Sequence, residues 1–257
     1  DCLLSRGLGD VYKRQVPLRL AANGNIAAWQ EASIGAESNG LRLTEVRVNV
    51  GDVVKAGQVL ATFSADTVLT DVAQSRASLL EAQANAAEAA ANADRARSLQ
   101  ATGALSQQQI QQFTTAEQTA QARVEASKAA LNAQQLRLKY TQVVAPDSGV
   151  ISARTATVGA VVGAGTELFR MVRKGRLEWR AEVTSTELRR IQPGAKVSVT
   201  AASGAAAEGT VRMVAPTVDP QTRNALVYVD LPANADFRAG MFARGDFALG
   251  SSDALTV

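Results

Sequence analysis

Histidine is absent from this 257-residue chain, cysteine occurs once, at Cys2, and aromatic side chains make up 4% of it. The first absence removes the commonest general base and the commonest metal ligand. A single cysteine excludes a disulfide framework, a thiol pair and a cysteine-based zinc site, and leaves the compartment open. Scarce aromatics beside abundant alanine fit Ala-rich helices and small β-modules better than one large enzyme core. No apolar run approaches the roughly 18 residues that a membrane helix needs, and no intact signal peptide opens the chain. The net charge of +3 comes without a Lys/Arg run, so no nucleic-acid groove is indicated. Glu187 and Asp219 are the nearest thing to an acid pair, but no nucleophile, ligand set or Gly-rich phosphate loop accompanies them.

What is present is a repeated β-type segment on either side of a long alanine-rich stretch. The first copy runs from Gly40 through Val46, Val48 and Val50 to Gly51-Asp52, Val53-Val54 and Ala56-Gly57, ending on Val59-Leu60. The second runs from Ala145 through Gly149 to Gly159, Val161-Val162 and Gly165, ending at Leu168. Each reads as an alternating strand, a Gly turn, a Val-Val pair, a second Gly turn and an apolar strand end. Strands this short bury little alone, so the two halves are expected to complete one sandwich across the insertion.

Between the copies, residues 66–140 contain one break, Thr102-Gly103-Ala104. Ser64 or Asp66 is a candidate N-cap for the first helix, Gly103 a candidate C-terminal cap, and Ser106 the start of the second. In the second helix Ile110, Phe113, Ala120, Val124, Leu131 and Leu138 fall on a seven-residue repeat, interrupted by Glu117, Ser127 and Gln134. Two arms of about 35 residues at 1.5 Å rise give an antiparallel coiled-coil hairpin about 50 Å long. An alternative is half of an ordinary bundle, but the rest of the chain reads as strands and supplies no further helices. After Arg173-Lys174-Gly175 come short strands and turns, with one helical turn near Ser185–Ile191 and strand candidates at 195–200, 209–214, 225–231 and 245–249. Even spacing of such strands indicates a small antiparallel barrel, which strands from about Val16, with a turn at Asn23-Gly24, are expected to join.

The expected organisation is therefore α+β, elongated and multidomain. Residues 1–15 read as a non-native leader. Residues 16–27 join the barrel, 28–65 and 141–173 form the two lipoyl-like halves, 66–140 the hairpin and 174–250 the barrel, and 251–257 begin a truncated membrane-proximal region. With no apolar lipobox before Cys2 and no closing element before Val257, the chain reads as a fragment at both ends.

This order of parts resembles the periplasmic adaptors, or membrane fusion proteins (HlyD-like), of resistance-nodulation-division tripartite efflux pumps. The resemblance covers roughly residues 16–249. It includes Val218-Asp-Pro-Gln-Thr-Arg223 and Phe237-Arg-Ala-Gly-Met241, which are similar to a barrel signature of that family. At the hairpin tip, Arg95, Leu99 and Ser106 have the spacing of a pattern in adaptors that dock an outer-membrane channel. Taken singly, Arg95 reads as a solvated helix residue, Leu99 as internal packing and Ser106 as a cap; the docking reading rests on the set. Asp219, Pro220 and Arg223 read first as a barrel turn with a charged rim, and in the family's terms as a turn facing the inner-membrane transporter.

The resemblance implies a non-enzymatic subunit without cofactor or resident metal, in the periplasm of a Gram-negative bacterium and attached to its inner membrane through an anchor upstream. Its implied partners are an inner-membrane transporter, an outer-membrane channel and further copies of itself in a ring (a hexamer or trimer of dimers). Rival readings are an adaptor of an ABC-type exporter or type I secretion system, a lipoyl or biotinyl carrier domain, and a free-standing coiled-coil protein. The carrier's modified lysine would sit on a turn between Phe63 and Val143, where the helices stand instead. The exported compound is not named by the sequence; absent His and Met-rich clusters weigh against metal handling.

Overall fold

The computed structural model describes residues 13–234 and 236–255, and these divide into two compact units. One comprises the described residues among 1–32, 147–150 and 171–257; the other comprises 33–146 and 151–170. The expected leader falls largely outside the described residues, which begin at Lys13.

The first unit is built on a closed barrel of strand order β1-β10-β13-β12-β11-β14. Its strands are β1 (Lys13–Ala28), β10 (Leu177–Thr184), β11 (Lys196–Ala201), β12 (Ala206–Val214), β13 (Asn224–Asp230) and β14 (Phe242–Leu255), with a short helix α3 (Ser185–Leu188) after β10. Alternation does the work here. Trp179, Ala181 and Val183 of β10 point inward with Val197, Val199, Val227, Val229 and Phe247, and all are buried. Trp179 and Phe247 pack with ring centroids 5.7 Å apart, and the Trp179 indole N–H donates to the Ala243 carbonyl at 3.2 Å.

β1 begins at Lys13, inside the stretch read as a leader, and β14 continues past 249 to pair with it, Lys13 opposite Leu255. The expected turn at Asn23-Gly24 is not formed. β1 runs straight through it, with Asn23 opposite Glu182 on one side and Arg244 on the other. Gly24 serves close approach instead, because a Cβ there would lie 2.0 Å from the Arg180 carbonyl oxygen.

On the outer face, Glu178 and Asp230 lie directly opposite each other on β10 and β13, a like-charge pairing that alone destabilises a sheet. A bulge in β12 between Val211 and Met213 places Arg212 between them. Its guanidinium donates to Glu178 at 2.6 Å and to Asp230 at 3.0 Å. Arg180 supplies a second donor to Glu178 at 2.9 Å, and Arg176 one to Asp230 at 2.8 Å. The Glu178 carboxylate is almost fully buried and is satisfied by the Arg212 and Arg180 guanidiniums.

The second unit contains the hairpin and most of the sandwich. One sheet has the order β2-β9-β7-β4, from Glu31–Gly35, Glu167–Arg173, Gly149–Arg154 and Val53–Val54. The other has the order β6-β5-β3-β8, from Gln142–Val144, Val59–Phe63, Leu41–Val46 and Val161–Val162. The sequence repeat reappears as reciprocal backbone bonds. Gly51 N–H donates to Ile151 O at 2.8 Å while Gly159 N–H donates to Leu43 O at 2.7 Å. Gly57 N–H donates to Ala145 O at 2.8 Å while Gly165 N–H donates to Ala36 O at 2.7 Å. Each half thus completes the other's ladder.

The hairpin, α1 (Asp66–Gln100) and α2 (Gln107–Lys139), grows from the adjacent antiparallel strands β5 and β6. Neither helix is long and apolar enough to cross a membrane, nor is any other among the described residues. Ala65 occupies the N-cap position of α1 and no side chain caps the helix, contrary to the expectation for Ser64 or Asp66. Its first turn is secured by the sandwich: Ser64 N–H donates to Arg42 O at 2.8 Å, and Phe63 N–H to Thr141 O at 2.7 Å.

If Gly24 is a contact point and not a turn, Gly24→Ala should lower the unfolding free energy of the barrel by about 1–3 kcal/mol, through overpacking. Urea denaturation followed by tryptophan fluorescence is expected to give a lower midpoint at unchanged slope.

Candidate docking site at the hairpin tip

The hairpin's interior follows from alternating three- and four-residue steps. α1 turns Val68, Val72, Ser75, Leu79, Ala82, Ala86, Ala89, Ala93 and Ala96 inward, all buried or half-buried. Beyond Leu79 this face is alanine alone, so the helices approach closely and bury little area per residue. The facing row on α2 is Ile110, Thr114, Glu117, Ala120, Val124, Ser127, Leu131, Gln134 and Leu138. The repeat is as expected except at its tip end. There Thr114 replaces Phe113 on the inner face, and Phe113 is left 38% exposed.

The tip turn follows Gln100. Gly103 was expected to cap α1, but the cap position is Ala101, and Gly103 at φ +71° instead turns the chain two residues later. The Thr102 hydroxyl donates to the Leu99 carbonyl at 2.7 Å, satisfying one of the helix-end acceptors. Ser106 caps α2 as expected, with a reciprocal arrangement. Gln109 N–H donates to Ser106 Oγ at 3.2 Å and Ser106 N–H donates to Gln109 Oε1 at 3.0 Å. That use of the hydroxyl fixes Ser106 as a structural residue of the tip, whatever else it touches.

Leu99 is 43% exposed and is not absorbed into the hairpin interior. Arg95 is exposed and donates to Asn92 Oδ1, one turn earlier on its own helix. Arg97, two residues on, behaves differently: it bridges Asp94 at 2.7 Å and Glu117 of α2 at 2.5 Å. The hydrogen bond and the charge of Glu117 hold its guanidinium above the ordinary value. The three residues picked out by spacing are thus brought to one end of the hairpin, two of them with exposed side chains and the third in the cap.

Asp219, Pro220 and Arg223 belong to the other unit, in the loop between β12 and β13. Asp219 is the organiser of that turn. Its carboxylate accepts from Gln221 N–H at 2.8 Å, and its carbonyl accepts from Arg223 N–H at 2.7 Å. Arg223 adopts φ +59° and stays exposed. Beside this turn lies an open cleft of about 750 Å3 lined by Glu182, Val218, Pro220, Leu226 and Tyr228 among others. Sequence reasoning missed this cleft and the Arg212 bridge, since neither carries a motif. It also missed the exposure of Phe113, for which the polar Glu117 next along the repeat was the available signal. Among the described residues there is no cluster of three or more acidic, His or Cys side chains placed to hold a metal.

The sequence model of the CusB-like β-barrel domain family matches residues 179–251. The nickel-cobalt-cadmium resistance protein NccB of Alcaligenes xylosoxydans xylosoxydans is 33% identical over 216 residues, covering 82% of this chain and 53% of NccB. The nickel and cobalt resistance protein CnrB of Cupriavidus metallidurans is 33% identical over 257 residues, covering 96% of this chain and 63% of CnrB. The chain thus spans between about half and two thirds of the length of these relatives. In fold it is similar to the crystal structure of MacA from Actinobacillus actinomycetemcomitans, at TM-score 0.79 and 18% identity, over 97% of this chain and 83% of that one.

Loss of the cap is expected to loosen the tip without unfolding the chain. Ser106→Ala should cost about 1 kcal/mol of local helix stability. Hydrogen exchange should show faster amide exchange at residues 107–110, with exchange in β5 and β6 unchanged.

Proposed function

We propose that this chain belongs to the membrane fusion protein family and is the periplasmic adaptor subunit of a resistance-nodulation-division efflux pump. In this reading it links an inner-membrane transporter to an outer-membrane channel and has no catalytic step of its own. The observation that carries it is the conjunction of a CusB-like barrel with a hairpin whose tip presents Leu99 and Arg95 to solvent.

The mechanism is geometric. Copies of the chain assemble into a ring at the inner membrane, with their hairpins side by side. The tips engage the channel, Leu99 as an apolar knob and Arg95 as a forked donor to carbonyls or carboxylates. Asp219, Pro220 and Arg223 form the barrel turn that meets the transporter. Each contact is weak, and the ring makes the set of them strong by multivalency. The barrel match favours this partner class over an ABC-type exporter.

Two relatives bear the names of nickel and cobalt resistance proteins, and on that basis we extend the proposal to divalent metal cations as the cargo of the assembled pump. The sequence reading leaned the other way because the chain lacks histidine. The two are reconciled if the cation travels through the transporter and the adaptor seals the path without ligating it.

Two measurements test this reading. Capture of the purified outer-membrane channel of the same export system should be abolished by Leu99→Asp or Arg95→Glu, with helix content by circular dichroism unchanged; undiminished capture by both variants would refute tip docking. Deleting the gene should lower the inhibitory concentration of nickel or cobalt several-fold. Unchanged metal tolerance with raised sensitivity to organic compounds would replace the cargo assignment.

A further inference from the structure

The dipeptide Asn-Gly occurs at Asn23-Gly24 and at Asn39-Gly40, and the fold treats the two in opposite ways. An asparagine before glycine is open to attack on its side-chain carbonyl carbon by the next backbone nitrogen, because glycine has no Cβ to hinder the approach. The cyclic imide that results forms only if the peptide after the asparagine rotates out of the extended conformation.

At Asn23 that rotation is blocked. β1 is paired on both sides there, with Asn23 opposite Glu182 of β10 and Arg244 of β14. Turning the peptide would break ladder hydrogen bonds, and the Arg180 carbonyl already fills the space beside Gly24.

Asn39 lies instead in the bend between β2 and β3, where both it and Gly40 are exposed. Gly40 has φ +72°, with nothing within 4 Å of the position a Cβ would take. The bend is pinned at its base and open at its tip. On one side the Ser38 hydroxyl donates to the Tyr140 carbonyl at 2.9 Å, and on the other Leu41 pairs with Val162 of β8. One backbone bond has to open, Gly40 N–H to Val162 O at 3.2 Å, and its acceptor belongs to a two-residue strand at the edge of its sheet. A second contact assists the reaction. The Ala164 N–H donates to Asn39 Oδ1 at 3.4 Å, the oxygen on which negative charge grows as the nitrogen adds to the carbon.

We propose that Asn39 is a site of spontaneous covalent modification, closing through Gly40 to a succinimide and opening to isoaspartate or aspartate, while the fold spares Asn23. The Gly40 nitrogen gives its proton to solvent base and bonds to the Asn39 side-chain carbon. The side-chain carbon–nitrogen bond breaks, and ammonia leaves with a proton taken back from solvent. Water then opens the imide at either carbonyl, and nothing is oxidised or reduced. Both products set a carboxylate against residues 155–166, a stretch without charge. Isoaspartate also adds a methylene to the main chain where β3 enters its pairing with β8. The same strand supplies Leu43 O to Gly159 N–H, so modification loosens one of the two closures between the sandwich halves.

The experiment ages the full chain at neutral and at mildly alkaline pH, folded and in urea. Cleavage after glutamate, at Glu31 and Glu37, puts the two asparagines on different peptides for mass spectrometry. In the folded chain the Asn39 peptide is expected to gain about one dalton and to separate into two products of equal mass. Conversion should be faster at the higher pH, because the attacking nitrogen must lose its proton. The Asn23 peptide should convert at least about tenfold more slowly, since it reacts only when the barrel strand opens, and in urea the two rates should converge. Asn39→Gln, which would have to close a larger ring, should keep its original mass. Equal conversion of both asparagines in the folded chain overturns the proposal. So does conversion of Asn39 about tenfold slower folded than in urea, because the Val162 bond then protects the site. Hydrogen exchange in the aged chain should be faster at residues 161–163 and unchanged in β5 and β6; unaltered exchange at 161–163 refutes the loosening.

Discussion

Neither half of the sandwich can satisfy its own backbone. Gly51 and Gly57 of the first half find their acceptors at Ile151 and Ala145, and Gly159 and Gly165 of the second find theirs at Leu43 and Ala36. Buried or edge N–H groups left unpaired cost as much as lost hydrogen bonds, so the halves must meet, although 75 residues of hairpin, 66–140, separate them in sequence. That obligation fixes the base of the hairpin. β5 and β6 become neighbours, Phe63 bonds to Thr141, and two helices emerge side by side from adjacent strands. The tip side chains are placed by this one constraint and carried outward by helical geometry.

The barrel solves a different problem with a different device. Its interior is ordinary alternation, but its outer face sets two carboxylates opposite each other on neighbouring strands. The bulge in β12 aims Arg212 at both. A shift of register would separate the carboxylates from their shared guanidinium and leave Glu178 as a buried, uncompensated charge, which is far costlier than the pair itself. The arrangement therefore specifies strand alignment more than it adds stability.

Much of this was legible in the sequence because period and punctuation survive without context. The repeated Gly and Val-Val pattern around 51–57 and 159–165 gave the sandwich halves, the proline- and glycine-free runs gave the helices, and Ser106 gave the cap. Other features depended on tertiary partners. Asn23-Gly24 is a strong local turn signal, overridden because β10 passes so close that only glycine fits. Ser64 and Asp66 are good caps left unused, because the strand before α1 is already tied to β3 through Arg42. Phe113 fits the heptad on paper. Glu117, drawn across to Arg97, and Thr114 on the inner face leave it facing out, and no single-helix pattern contains that information.

The alanine row from Ala82 to Ala96 has a mechanical consequence. Large interlocking side chains give a packed interface several discrete settings, and bending such a rod means hopping between them. Methyl groups offer almost nothing to interlock, so flexure of this part of the hairpin is borne by the backbone helices themselves. Such a lever yields smoothly and springs back without becoming trapped in a wrong packing.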